Sequence, residues 1–126
     1  MLGENGEMRS YILVAIGAAL GASVRWGTGE TISRSPGAFP YATLIVNVIG
    51  CALIGLAAQA LVRGSPRWQI GVTGLLGGLT TYSAFANETR ELIAAGHAGQ
   101  ALLYVAVSVV AGLGATELAR GDWRQL

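Results

Sequence analysis

The chemistry available to this chain is concentrated where polar side chains interrupt apolar sequence. The run Gly77-Gly78-Leu79-Thr80-Thr81-Tyr82-Ser83-Ala84-Phe85 sets two glycines, several hydroxyls and two aromatic rings inside an otherwise apolar segment. In water such a run reads as a turn. In a bilayer it is costly, because each backbone group released from a helix needs another partner. Broken helices persist there only where protein buries them or where they line a polar cavity, so the run points to an ion or substrate site. Carbonyl oxygens freed over Gly77 to Thr80 suit a hard cation. Tyr82 and Phe85, three residues apart, share one side of a helix. Ring edges turned inward favour an anion, and ring faces favour a cation. With hydroxyls and amides nearby and Arg25 the sole full positive charge at hand, the set suits weak, multi-site handling of a small anion.

Further polar residues lie in the other apolar stretches. Asn47 shares a helix face with Thr43 and Gly50, and its amide offers two donors and an acceptor. It serves either a permeating ion or the joining of two helices. Gln100, Tyr104, Ser108, Gly112 and Thr116 recur every four residues and form a polar or small stripe, read as a hydrated wall. Arg25 either snorkels to the interface or pairs with orphan carbonyls or an acid, Glu88 and Glu30 being the visible acids.

These residues need elements to carry them. Only 12% of residues are charged and 52% are hydrophobic, with a mean hydropathy of +0.53, against roughly 25% charged in a soluble domain. Four apolar stretches, about Tyr11 to Ile32, Tyr41 to Val62, Trp68 to Ala95 and Gly99 to Leu118, approach or exceed the span of a bilayer. Ser35-Pro36-Gly37, Arg63-Gly64-Ser65-Pro66-Arg67 and Gly96-His97-Ala98-Gly99 punctuate them. The expectation is one all-α transmembrane domain over residues 1–126, with four helices, the third broken, and short polar tails at 1–10 and 119–126. Arg9 followed by Tyr11 to Leu20 and Ala22-Ser23 has the outline of a signal peptide, but three more spans follow and a helical pattern continues past Arg25. The lone Cys51 reads as a small buried residue.

Four spans put both termini on one side, together with Arg9, Arg63, Arg67, Arg120 and Arg124, while Arg34 falls on the other. The positive-inside rule assigns the termini to the cytoplasm. Glycine makes up 19 of 126 residues. Small-xxx-small spacings at Gly17 to Gly21 and Gly74 to Gly78 let helix backbones approach closely. Four short helices hardly enclose a water-filled path alone, so an oligomer is expected.

At these residues the chain resembles the Fluc, or CrcB, family of fluoride channels. The resemblance covers about Tyr11 to Leu118. It is carried by Gly17 to Trp26, by Thr43 to Gly50, and most strongly by Gly77 to Phe85. It implies an antiparallel, dual-topology dimer in a prokaryotic plasma membrane, with two pores that let fluoride leave the cell passively. It implies a central structural sodium ion on the carbonyls of Gly77 and Thr80. Asn47 would be the pore amide, and Phe85 the second of two pore phenylalanines. Ser83, Glu88 and Arg25 match family positions, and Tyr104, Ser108 and Thr116 would form a polar track. Tyr82 replaces the first pore phenylalanine and adds a hydroxyl that fluoride can accept from. The arginine bias leaves room for a heterodimer with an oppositely oriented homologue, the homodimer being preferred.

Three other classes fit less well. A small multidrug–proton exchanger needs a carboxylate in the middle of the first span, and Glu30 lies near its end. A scaffold subunit does not explain Asn47 and the broken span together. An enzyme lacks a nucleophile–base pair or ligand cluster, and the only histidine, His97, is in a loop. The chain has no lysine, no phosphate loop and nothing suited to nucleic acid.

Overall fold

The computed structural model describes residues 3–121; Arg124 lies outside them. Every regular element among the described residues is helical. The helices are α1 (Glu4–Thr31), α2 (Tyr41–Ala60), α3 (Pro66–Trp68), a π-helical stretch (Gln69–Leu76), α4 (Gly77–Leu79), α5 (Tyr82–Ala94) and α6 (Ala98–Arg120). Three of them, α1, α2 and α6, are long and apolar enough to cross a membrane. The third apolar stretch is divided into shorter pieces. Ser65 starts it, its hydroxyl accepting from the Trp68 N–H at 3.2 Å with Pro66 behind it, a sequence-local start signal.

Two parallel pairs organise the fold. The first sets α1 beside the π-helical stretch and α4. Gly17 and Gly21 are the buried residues of α1, so glycine makes its contact face. A Cβ on Gly21 would land on the Leu75 carbonyl oxygen. Lipid gives no hydrophobic drive for helices to associate, so backbone-to-backbone packing of this kind supplies the attraction.

The second pair is α2 and α6. Thr116 Oγ1 donates to the Cys51 carbonyl at 3.1 Å, and the Gln59 amide donates to the Ala119 carbonyl at 2.6 Å and to that of Arg120. The pairs meet through Val46, Leu76 and Leu79, with Ile54, Val72 and Leu75 around them. A second cluster joins α5 to α6 through Leu92, Ala101 and Tyr104, with Phe39, Leu44 and Phe85 against it. Outward, Tyr11, Ile16, Leu20 and Val24 on α1 and Leu102, Val110 and Leu113 on α6 are exposed. A face that apolar belongs in lipid or against a partner chain.

The break falls at the end of the Gly77-to-Thr80 stretch singled out in the sequence. Gly77 and Gly78 remain helical, and the chain leaves the helix at Thr80 (φ −80°, ψ 152°) and Thr81 (φ −148°, ψ 125°). The cause is local. Thr80 turns both its N–H (3.0 Å) and its hydroxyl (2.9 Å) to the Leu76 carbonyl, and the next N–H finds a partner outside the helix. Close packing accounts for Gly78, where a Cβ would strike the Ala18 carbonyl oxygen.

Candidate functional site

The partner of that next N–H is Asn47. Asn47 Oδ1 accepts from the Thr81 N–H at 2.9 Å, and its Nδ2 donates to the Thr81 carbonyl at 3.1 Å. One side chain thus satisfies both polar groups of the residue at the break. A broken helix is tolerable at membrane depth only with such replacement. Three residues along α2, Gly50 lies under the Thr80 methyl, and a Cβ there would collide with it. The Asn47-to-Gly50 face is therefore shaped to receive Thr80 and Thr81. Of the two uses expected for Asn47, joining helices occupies its acceptor and one donor hydrogen; its second Nδ2 hydrogen is additional.

Beyond the break, Thr81 caps α5, its hydroxyl accepting from the Ala84 N–H at 3.2 Å and standing 3.3 Å from Ser83 Oγ. The start of α5 carries the positive end of a helix dipole and favours an anion. The end of α4 has the opposite sign. With the Thr81 N–H diverted to Asn47, the Gly77 carbonyl loses the helical partner it would otherwise have. The Gly78 carbonyl is taken by Arg25, whose Nε donates at 3.1 Å. Of the partners considered for Arg25, the structure gives an orphan carbonyl rather than Glu88 or Glu30.

The aromatic and acidic residues follow along α5. Tyr82 is 80% exposed, and its ring centroid lies 5.9 Å from that of Phe85. Phe85 is half-buried, 5.2 Å from the ring of Tyr104. Tyr104 is fully buried and donates its hydroxyl to Glu88 Oε2 at 2.8 Å. Glu88 Oε1 accepts from Thr43 at 2.7 Å and lies 3.9 Å from an Arg34 nitrogen. The donor hydrogens of Tyr104 and Thr43 are thus committed to a carboxylate.

The stripe on α6 faces inward from Tyr104 to Thr116, and its members differ in use. Gln100 is exposed, Gly112 approaches Cys51, and Thr116 bonds to the Cys51 and Gly112 carbonyls. Ser108 is the exception: its hydroxyl is buried and has no hydrogen-bond partner. A serine in a helix ordinarily bonds back to the carbonyl one turn earlier, so an orphaned hydroxyl marks a place where a water or an ion would be held.

In the sequence Arg34 counts only toward topology. The structure brings it to the site: its guanidinium bonds to Glu91 Oε2 at 2.7 Å and to the Ala38 carbonyl at 3.1 Å. No spacing rule finds it, because it belongs to the loop between α1 and α2 and meets α5 through tertiary folding.

Known proteins have similar sequences. The family model for the CrcB-like protein, Camphor Resistance (CrcB), matches residues 12–120. A Fluoride-specific ion channel FluC of Thermus thermophilus is 43% identical over 111 residues, covering 84% of this chain and 88% of that protein. One from Bordetella petrii is 45% identical over 114 residues, covering 86% and 87%. A Fluoride-specific ion channel FluC 2 of Rhodococcus jostii is 45% identical over 109 residues, covering 86% and 94%.

Proposed function

The chain belongs to the CrcB-like family, and from that premise we propose that it is a fluoride-selective channel. Its relatives are named as ion channels, a non-enzymatic function. It is a multi-pass membrane protein, with α1, α2 and α6 each long and apolar enough to span. The full reading adds a fourth, broken crossing from α3 to α5, in a prokaryotic plasma membrane.

The observation that carries the proposal is the double hydrogen bond between Asn47 and Thr81. It holds open two half-helix ends of opposite sign where they would otherwise be too costly to keep. The N-terminus of α5, with Ser83, favours fluoride electrostatically. Phe85 offers a ring edge, and Tyr82 a ring edge with a hydroxyl. Ser108 has an unclaimed hydroxyl. Fluoride is a small, strongly hydrated anion, so these weak donors in series replace its water while letting it move on. Among the described residues, Arg25 and Arg34 are each committed to fixed partners. An anion therefore meets no unpaired arginine in this set that would trap it.

Four short helices give one wall of such a path, and the exposed Tyr82 and apolar faces suit a second copy. The reading is an antiparallel homodimer with two pores; a homologous partner in the opposite orientation would serve equally. A sodium ion fits at its centre by donor chemistry. Among the described residues no three or more His, Cys, Asp or Glu side chains are placed to hold a metal ion together, so backbone carbonyls are the ligands on hand. The Gly77 carbonyl is freed by the diversion of the Thr81 N–H, and Thr80 is extended beside it. Gly77 and Thr80 would hold the ion, which supplies fixed positive charge and ties the breaks together.

Outward movement follows from acid–base chemistry. Fluoride enters as its neutral acid, dissociates in the more alkaline cytoplasm, and leaves through a passive pore driven by the negative membrane potential. Fluoride efflux from liposomes containing the purified protein, with chloride as control, tests this. Fluoride-selective efflux lost on mutating Asn47 or Phe85 supports it, and efflux of neither ion from folded protein counts against it.

A further inference from the structure

A carboxylate beside an anion path presents an electrostatic problem. Glu88 has a 13% exposed side chain, and Glu91, one turn on, is 29% exposed. Both lie at the end of the fold where the loop between α1 and α2 meets α5. Glu30 and Glu88 also line one cleft of about 330 Å³, with Ser33, Arg34 and Thr43. Uncompensated, this cluster would repel fluoride at the mouth of the path.

Arg34 is the cation that reaches the two α5 carboxylates in this cluster. It lies 2.7 Å from Glu91 and 3.9 Å from Glu88. No other basic group forms an ion pair with either carboxylate among the described residues. Arg90 reaches the pair only at one remove, bonding at 3.4 and 3.1 Å to Asn87, which donates to Glu91 Oε1 at 2.8 Å, and the His97 ring lies 3.1 Å from the Gly37 carbonyl. Arg34 is also fixed, since its other nitrogen donates to the Ala38 carbonyl.

We infer that Arg34 is the counter-charge of this pore mouth, offsetting one of the two negative charges of the Glu88–Glu91 pair so that fluoride passes the cleft against less repulsion. The inference rests on the channel reading and names a residue that sets its conduction. Arg34 is a positioning residue that acts through the two glutamates. Its bond to Ala38 allows a simpler role, tethering the loop, and the two roles differ in how they respond to charge.

The test measures fluoride efflux from liposomes for wild type, Arg34→Gln, Arg34→Lys, Glu91→Gln and the double variant R34Q/E91Q. Arg34→Gln slows efflux about tenfold, and Arg34→Lys holds it within about threefold of wild type. Removing one carboxylate restores balance, so the double variant returns to within about threefold of wild type. The Arg34→Gln defect also shrinks as an impermeant salt is raised from about 0.1 M to 1 M, because the Debye length falls from about 10 Å to 3 Å. A tether would show neither rescue nor salt response. Arg34→Gln conducting as wild type overturns the inference, as does a double variant as slow as Arg34→Gln. If Arg34→Gln does not elute as folded protein, Glu91→Gln carries the test: efflux equal to or faster than wild type is expected, and slower efflux overturns the inference. A wild type that passes no fluoride overturns the channel reading itself and the inference with it.

Discussion

Asn47 and Thr81, 34 residues apart in sequence, exchange two hydrogen bonds of 2.9 and 3.1 Å between one side-chain amide and one backbone unit. The pair explains how the chain leaves its helix without leaving the Thr81 backbone unpaired. Asn47→Ala leaves a half-buried N–H and C=O without their partners, at up to about 1–3 kcal/mol each. We expect lower thermal stability in detergent together with lost fluoride conduction. Asn47→Asp keeps the acceptor for the Thr81 N–H but loses the donor, and its stability should fall between the two. Unfolding curves by circular dichroism check the order.

Ser108 separates stability from conduction. Its hydroxyl is buried without a partner, so removing it relieves an unsatisfied group rather than breaking a bond. Ser108→Ala should unfold at the same temperature as wild type or slightly higher, yet pass fluoride more slowly. Equal stability with equal flux would remove Ser108 from the path.

The glycine face of α1 makes a third prediction. A side chain at Gly21 meets the Leu75 carbonyl oxygen, which is backbone and cannot turn aside. Gly21→Val should cost about 1–3 kcal/mol or more through overpacking. Gly29 lies on the same helix with open space around it. Gly29→Ala should be neutral or stabilising by up to about 1 kcal/mol. Comparing the melting temperatures of the two variants tests whether close backbone approach, and not helix propensity, governs this interface.

Tyr82 is 80% exposed in the single chain, so Tyr82→Phe should change stability by no more than about 0.5 kcal/mol. If its hydroxyl meets fluoride in the assembled channel, the variant conducts at a different rate while keeping selectivity. Unchanged flux means that the hydroxyl plays no part.

How much of this was readable in the sequence depends on the range of each interaction. Helical stretches and the glycine spacing on α1 follow from composition and period, which are local. The run from Gly77 to Phe85 announced a break, and within it the break falls at Thr80 and Thr81 rather than at the glycines. The deciding bond comes from Asn47 on another helix, and the glycines serve the packing against α1. Arg25 had orphan carbonyls and two acids as candidate partners, Glu30 on its own helix and Glu88 on the third span. Which carbonyl the broken helix would leave open for it, that of Gly78, was fixed by tertiary geometry. Tyr104 and Ser108 sit on one stripe and looked alike. Folding commits the hydroxyl of one to Glu88 and leaves the other without a partner. Arg34 carried no local signal at all, because its two carboxylates lie more than fifty residues away.

The central claim is that these groups form a fluoride-selective path. The most direct measurement is ion efflux from liposomes loaded with potassium fluoride or potassium chloride and opened to potassium flow with an ionophore. The account predicts rapid fluoride release, negligible chloride release, and loss of the fluoride signal in Asn47→Ala and Phe85→Ala. Equal release of both ions, or undiminished fluoride release from both variants, would contradict it.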